Sequence, residues 1–233
     1  MRKVNLLTLA ALLLMAWTAV AHTFTDTKGR KLEGEISSAT ADQVVIKRKL
    51  DGRTFTIKID ILSEADKDFI TEFKAKQQST KAVADAKKVR DEAVKKIVAY
   101  SEASMGKQIG NGECWTLANE AYKNALIERP GSDMRVWGRE IDYKKEDPKP
   151  GDILEVEKAA FASGFTVPEK HTAVIVTVGK RGVVTVCEQN IGGDKRVQHG
   201  DYDLNGIKSG IVKIFRYEGA ASEMSNANRF ELD

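Results

Sequence analysis

Between His22 and about Lys58 apolar and polar positions alternate in short runs: Phe24, Leu32 and Ile36, then Val44, Val45 and Ile46, then Phe55, Ile57 and Ile59. A period of two buries one face of a strand, and Lys28-Gly29 and Asp51-Gly52 supply turns between the runs, so four or five short strands are expected. About forty residues provide little core, which makes a small barrel closed on itself the economical architecture. Ser63 reads as the N-cap of a short helix through Phe73, with Glu64 and Asp66 in its first turn. From Lys74 to about Ala103 the chain is rich in Lys, Ala, Glu and Gln, and Val83, Ala86, Val89, Ala93, Ile97 and Tyr100 recur at helical spacing. This predicts a second helix from about Thr80, whose narrow apolar stripe either packs on the next domain or leaves the helix as a semi-rigid spacer, and a domain boundary within it.

The pattern changes again from Gly106 to Tyr217. Gly110-Asn111-Gly112-Glu113 runs straight into a helical pattern that opens at Cys114 and should stop near Pro130-Gly131. Lys149-Pro150-Gly151-Asp152 forms a turn leading into a strand at Ile153-Leu154, followed by a loop from Lys158 to Lys170. Two strands then follow, His171 to Val178 and Val183 to Asn190, joined at Gly179-Lys180-Arg181-Gly182. A two-residue turn there sets His171 opposite Asn190 and Ala173 opposite Glu188. His171, Glu188 and Asn190 then share one face, and Cys187 lies on the other with Thr172 and Val174.

Composition narrows the setting. The chain has 233 residues, 42% hydrophobic and 30% charged, enough for one moderate domain plus a small module. A net charge of +3 with acids and bases interleaved leaves no nucleic-acid footprint, and Lys47-Arg48-Lys49 reads as a solvated strand end. Basic Met1-Arg2-Lys3, an apolar run from Val4 to Val20 and the small residues of Ala19-Val20-Ala21 form a leader expected to be cleaved before His22. The protein is therefore expected to be exported, periplasmic or extracellular, with no membrane association once the leader is removed. An exported chain with two cysteines also admits a structural bridge between Cys114 and Cys187.

Candidate chemistry centres on Cys114. A thiol at a helix start faces unpaired backbone N–H groups and the positive end of the helix dipole, which favour thiolate. His171 is placed to take the thiol proton, and Glu188 or Asn190 to bond the other ring nitrogen. The three histidines, His22, His171 and His199, lack metal-ligand spacing in the sequence, so no metal or other cofactor is expected. Asp201-Tyr202-Asp203-Leu204-Asn205-Gly206 imitates half of a calcium loop, but Val212 stands where the bidentate glutamate is needed, and a turn is the better reading. Trp115 and Trp137 are candidates for a substrate groove, with burial in the core as the commoner alternative.

Two resemblances follow from these residues. Thr23-Phe24-Thr25-Asp26 with Gly29, Asp51-Gly52-Arg53 and Leu62-Ser63-Glu64-Ala65-Asp66 resemble the Sla-type homology domain, an SH3-like barrel, which implies a binding or spacing module with its own protein or cell-wall ligand. Gly112-Glu113-Cys114-Trp115, Pro150-Gly151-Asp152-Ile153, His171-Thr172-Ala173-Val174 and Glu188-Gln189-Asn190 resemble the cysteine, histidine-dependent amidohydrolase/peptidase (CHAP) family, relatives of the NlpC-type papain-like hydrolases. That likeness implies an α+β papain-like domain with Cys114 as nucleophile, His171 as base and then acid, Glu188 as the orienting group and Asn190 as a supporting polar group. It also implies cleavage of an amide in peptidoglycan or in an exported protein. The expected organisation is a leader at 1–21, a barrel at 22–74, a helical linker at 75–104, a hydrolase domain at 105–218 and a polar tail at 219–233.

Overall fold

A computed structural model describes residues 21–129 and 135–219. The leader, apart from Ala21, the tail beyond Gly219 and the Pro130-Gly131 helix stop lie outside the described residues. The chain forms two compact units, Met1–Lys81 and Ala82–Asp233.

In the first unit β1 (His22–Thr25), β2 (Lys31–Ala39), β3 (Gln43–Arg48) and β4 (Thr54–Lys58) form an antiparallel sheet in sequence order. The turns use Gly29 and Gly52 at positive φ, the left-handed conformation that glycine adopts without a Cβ clash. No ladder joins β1 to β4; instead Thr27 N–H donates to Ile61 O at 2.8 Å and Ser63 N–H donates to Thr25 O at 2.9 Å. Phe24, Val44, Ile46, Leu62 and Ile70 are the buried core. Gly34 keeps β2 close to β3, since a Cβ there would lie 2.7 Å from Ile46 Cγ2. Buried Asp66 accepts from Thr25 N–H at 2.8 Å, from Ser63 Oγ at 2.5 Å and from the His22 ring at 2.6 Å, which fastens β1 to the start of the helix that follows.

That helix, α1, is continuous from Glu64 to Ala103, where a short helix and a separate linker helix were expected. Lys74-Ala75-Lys76-Gln77-Gln78-Ser79 holds no glycine or proline and several strong helix formers, so nothing interrupts the turn-by-turn bonding. The apolar stripe also differs from expectation: Ala93 and Ile97 are buried, whereas Val83 and Val89 are exposed.

The second unit is built on a six-stranded antiparallel sheet, with strands β5 (Arg139–Ile141), β6 (Ile153–Phe161), β7 (Thr166–Val178), β8 (Val183–Glu188), β9 (Gln198–Asp203) and β10 (Ile207–Arg216) in the order β5-β10-β6-β7-β8-β9. The second helix, α2 (Cys114–Asn124), packs with Ile97 of α1 on one face, against Trp137, Ile153, Val174, Cys187 and Phe215. Leu154, Val156, Ala173, Ile175, Val186, Tyr202 and Ile214 form a second core on the other face. α2 stops earlier than the sequence predicts, because Leu126 takes φ 60°, and Ile127 N–H then bonds back to Tyr122 O. The expected loop at Lys158 to Lys170 is largely the hairpin ends of β6 and β7, and Asp201-Tyr202-Asp203 lies in β9, the turn being confined to the residues after it.

The β7–β8 connection is not a two-residue turn. Gly179 N–H bonds to Val183 O, and Arg181 sits at φ 61°. A bulge between Ile175 and Thr177 shifts the pairing back, so Val174 opposes Cys187, as the shorter turn would have placed them. Cys187 thus points into the helix-side core, away from the face that carries Ala173 and Val186.

Buried Arg216 closes the base of the unit. Its Nε and Nη2 donate to the two Asp152 oxygens at 3.0 and 2.7 Å, and Nη2 also reaches Asp147 O at 2.8 Å. This fork ties the end of β10 to the Pro150-Gly151-Asp152 turn. Arg216→Leu leaves Asp152 charged and buried without its partner, and urea unfolding is expected to register a loss of about 3–5 kcal/mol.

Candidate active site

The loop before α2 sets the position of its first residue. Gly110 and Gly112 take φ 57° and 82°, and a Cβ on Gly112 would lie 2.8 Å from Lys195 Cδ. Asn111 Oδ1 accepts from Glu113 N–H at 3.0 Å. Gln189, fully buried, grips this loop with its whole amide: Nε2 donates to Ile109 O, Glu113 O and Thr116 Oγ1 at 3.0, 2.7 and 2.6 Å, and Oε1 accepts from Ile109 N–H at 3.1 Å. The chain is thereby delivered to Cys114 at the helix start, where the N–H groups of the first turn have no partner within the helix.

Half-buried Cys114 stands beside the His171 ring and Thr172, which act on its thiol electrostatically, and its sulfur lies 3.9 Å from Lys170 O. His171 Nε2 meets Glu188 Oε2 at 2.7 Å, both side chains being buried, and the Tyr202 hydroxyl donates to the same oxygen at 2.7 Å. Nε2 is engaged by the carboxylate, which leaves Nδ1 as the nitrogen for the sulfur. Gly200 on β9 lies against Glu188, and a Cβ there would collide with Glu188 Oε1.

Electrostatics follow from this chain of contacts. Burial pulls the His171 pKa down, but hydrogen bonds to Cys114 and Glu188 and their charges outweigh it and raise the ring to about 9. Burial pushes the Cys114 thiol up, and the His171 contact and charge with the Thr172 bonds reverse this, leaving it below the ordinary thiol value. The two shifts run in the same sense, toward a proton on nitrogen and charge on sulfur. Cys187, by contrast, is pushed up to about 12 by burial and the nearby Glu102 and Glu188 carboxylates.

Of the four residues singled out from the sequence, the structure gathers Cys114, His171 and Glu188 and leaves Asn190 apart. β8 ends at Glu188, and Asn190 turns at φ 62°, bonds its N–H to Asp194 O at 2.7 Å and donates its side-chain amide to Glu113 Oε2 at 3.1 Å. It opposes no residue of β7 and bonds to the N-cap side chain. The bridge between Cys114 and Cys187 is also corrected: both are free thiols.

Gln189, Thr172, Gly200 and Tyr202 were missed. Gly200 and Tyr202 alternate on β9 opposite Val186 and Val184, on the face of Glu188, a relation visible only once the β8–β9 register is known. Trp137 is fully buried, and its Nε1 donates to Glu155 Oε1 at 2.6 Å, an oxygen that also accepts from Thr172 Oγ1 at 2.8 Å. Glu155 lines a cavity of about 160 Å³ with Arg135, Glu157, Ile211, Lys213 and Phe215. Burial raises the Glu155 pKa.

Iodoacetamide titration of the native protein reads the sulfur directly, because buried Cys187 stays protonated. Cys114 should alkylate below the ordinary thiol pKa of about 8.5. In His171→Ala only the weaker Thr172 contacts oppose burial, so the onset of alkylation should move upward in pH; superimposable profiles would contradict the coupling.

Comparison with known proteins places this geometry. Over 143 residues the chain is 28% identical to Altered inheritance of mitochondria protein 3 of Debaryomyces hansenii, covering 52% of this chain and 15% of that protein, so the match is to a small part of a much longer relative. Two crystal structures of Ly7917, one with the hydrolyzing product of MDP, are each similar at 19% identity with a TM-score of 0.36, covering 53% of this chain and 62% of theirs. Residues 71–225 match the model of the AIM3/BBC1 cysteine proteinase-fold domain, which takes in α1 beyond its first two turns, α2 and the whole six-stranded sheet. The chain belongs to that family and carries its mixed α+β, papain-like cysteine proteinase fold.

Proposed function

We propose that the protein is a cysteine hydrolase that cleaves amide bonds through a thioester acyl-enzyme. The observation that carries this reading is the alignment of Cys114, His171 and Glu188, with His171 Nε2 bonded to Glu188 and the carboxylate steadied by Tyr202. The Cys114 thiolate attacks the amide carbonyl, and the developing oxyanion is received by N–H groups at the start of α2. His171, already protonated, gives its proton to the departing amine, then takes one from the water that opens the thioester. Glu188 fixes the ring orientation and stabilises its positive form. The cavity beside Glu155 offers charged and apolar walls for a substrate chain on the same side of the sheet as Thr172.

The leader-like first residues favour an exported enzyme, periplasmic or extracellular, and with it peptidoglycan as the substrate, as an amidase or endopeptidase of the CHAP/NlpC type; exported proteins are the second substrate class. The first unit is proposed as an SH3-like module that binds or spaces. A scaffold held by a Cys114–Cys187 bridge has less support, since both cysteines are free thiols.

Purified protein incubated with muropeptides and with unrelated peptides should release new amino termini from one set. Cys114→Ser should abolish the release. Glu188→Gln, which keeps the side-chain volume but loses the charge, should lower kcat by roughly 10²–10⁴ with little change in KM. Full activity in Cys114→Ser would refute the proposal.

A further inference from the structure

A second cluster of reactive side chains lies on the helix-side face of the sheet, outside the site described above. Cys187 in β8 and His199 in β9 are direct cross-strand partners, and Glu102, at the end of α1, reaches over them. Glu102 Oε2 is 3.1 Å from His199 Nε2, and one donor atom from each of the three residues lies within 4.8 Å of the other two. Cys187 is fully buried, while the Glu102 and His199 side chains are 41% and 46% exposed. The sulfur therefore forms a floor and the other two a rim open to solvent.

The charge balance around the sulfur is lopsided. Glu102 and Glu188 both bear on it, and the facing group is the His199 ring in contact with Glu102. A divalent cation would answer that imbalance and give the sulfur a role that packing alone does not need. The donor set selects the class of cation. One thiolate, one imidazole and one carboxylate suit zinc and its neighbours, whereas calcium and magnesium take oxygen donors almost throughout.

We propose that Glu102, Cys187 and His199 form a zinc-type divalent metal site with a fourth position open to water. Zinc bonds of about 2.0–2.3 Å bring tetrahedral donors to roughly 3.3–3.8 Å from one another, so the exposed Glu102 and His199 side chains move by about 1.5 Å at most. Binding is acid–base chemistry without redox change: neutral His199 offers a lone pair, the Cys187 thiol loses its proton to solvent, and the thiolate–metal bond forms in its place. The ion would fasten the end of α1 to β8 and β9. Cys187 precedes Glu188, so a loaded site steadies from behind the strand that carries the partner of His171. Sequence spacing did not reveal this set because its members are neighbours across a ladder and not along the chain.

Cobalt(II) is the probe, titrated into full-length protein carrying Cys114→Ser, so that the thiol of the other site cannot contribute. One equivalent should produce a thiolate-to-cobalt charge-transfer band in the near ultraviolet and the intense visible bands of four-coordinate cobalt, and zinc should bleach both. Cys187→Ser should remove the charge-transfer band. Glu102→Gln and His199→Gln change exposed residues and leave folding intact; each should weaken cobalt binding at least about tenfold. The absence of a charge-transfer band in the Cys114→Ser protein overturns the proposal, as does a band that survives Cys187→Ser or is untouched by both rim substitutions.

Discussion

A buried imidazole held between a carboxylate and a thiol is the contact on which the second unit is organised. Desolvation alone would leave His171 neutral, and the ring keeps its proton only because Glu188 and Cys114 meet it from both sides. Glu188 is in turn held by Tyr202 and by the space that Gly200 leaves. Three strands of one sheet thus fix the ring, and each contributes through its own alternation of side chains. A charge buried this way is stable only while every partner is in place, which makes the arrangement rigid and sensitive to small displacements.

The sulfur is positioned by different means. Gln189, next in sequence to Glu188, turns its amide onto the loop that precedes α2 and satisfies backbone groups at both ends of that loop. Adjacent residues at the end of β8 therefore govern the two halves of the site: one orients the base, the other sets where the nucleophile begins. Asn190 continues the series by bonding the Glu113 side chain. The Arg216–Asp152 fork holds the turn from which β6 departs, and β6 carries Glu155 to Thr172. Geometry at the thiol thus depends on contacts well away from it.

Local signals in the sequence carried some of this and lost the rest at long range. A glycine-rich turn followed by a helical period marks the start of α2 at Cys114, since both signals lie within a few residues. The strand pair around His171 and Cys187 was legible by alternation, and its facing was deduced through a turn that does not exist; a three-residue excursion at Arg181 and a bulge after Ile175 offset one another. Asn190 was placed with the base because the strand was assumed to continue, whereas backbone at positive φ ends it. The continuity of α1 was obscured because its exposed middle lacks an apolar face, although its residues favour helix throughout. Gln189, Gly200 and Tyr202 act through partners 12 to 80 residues away, information that no local pattern contains.

Nitrogen-15 spectra of histidine-labelled protein test the central claim most directly, since the ring shifts report protonation at each nitrogen of His171. The account predicts that both nitrogens carry protons at neutral pH and that the ring titrates only near pH 9, with the state lost when Cys114 or Glu188 is replaced. A neutral His171 ring at pH 7, titrating near the ordinary value of about 6.5, would contradict it.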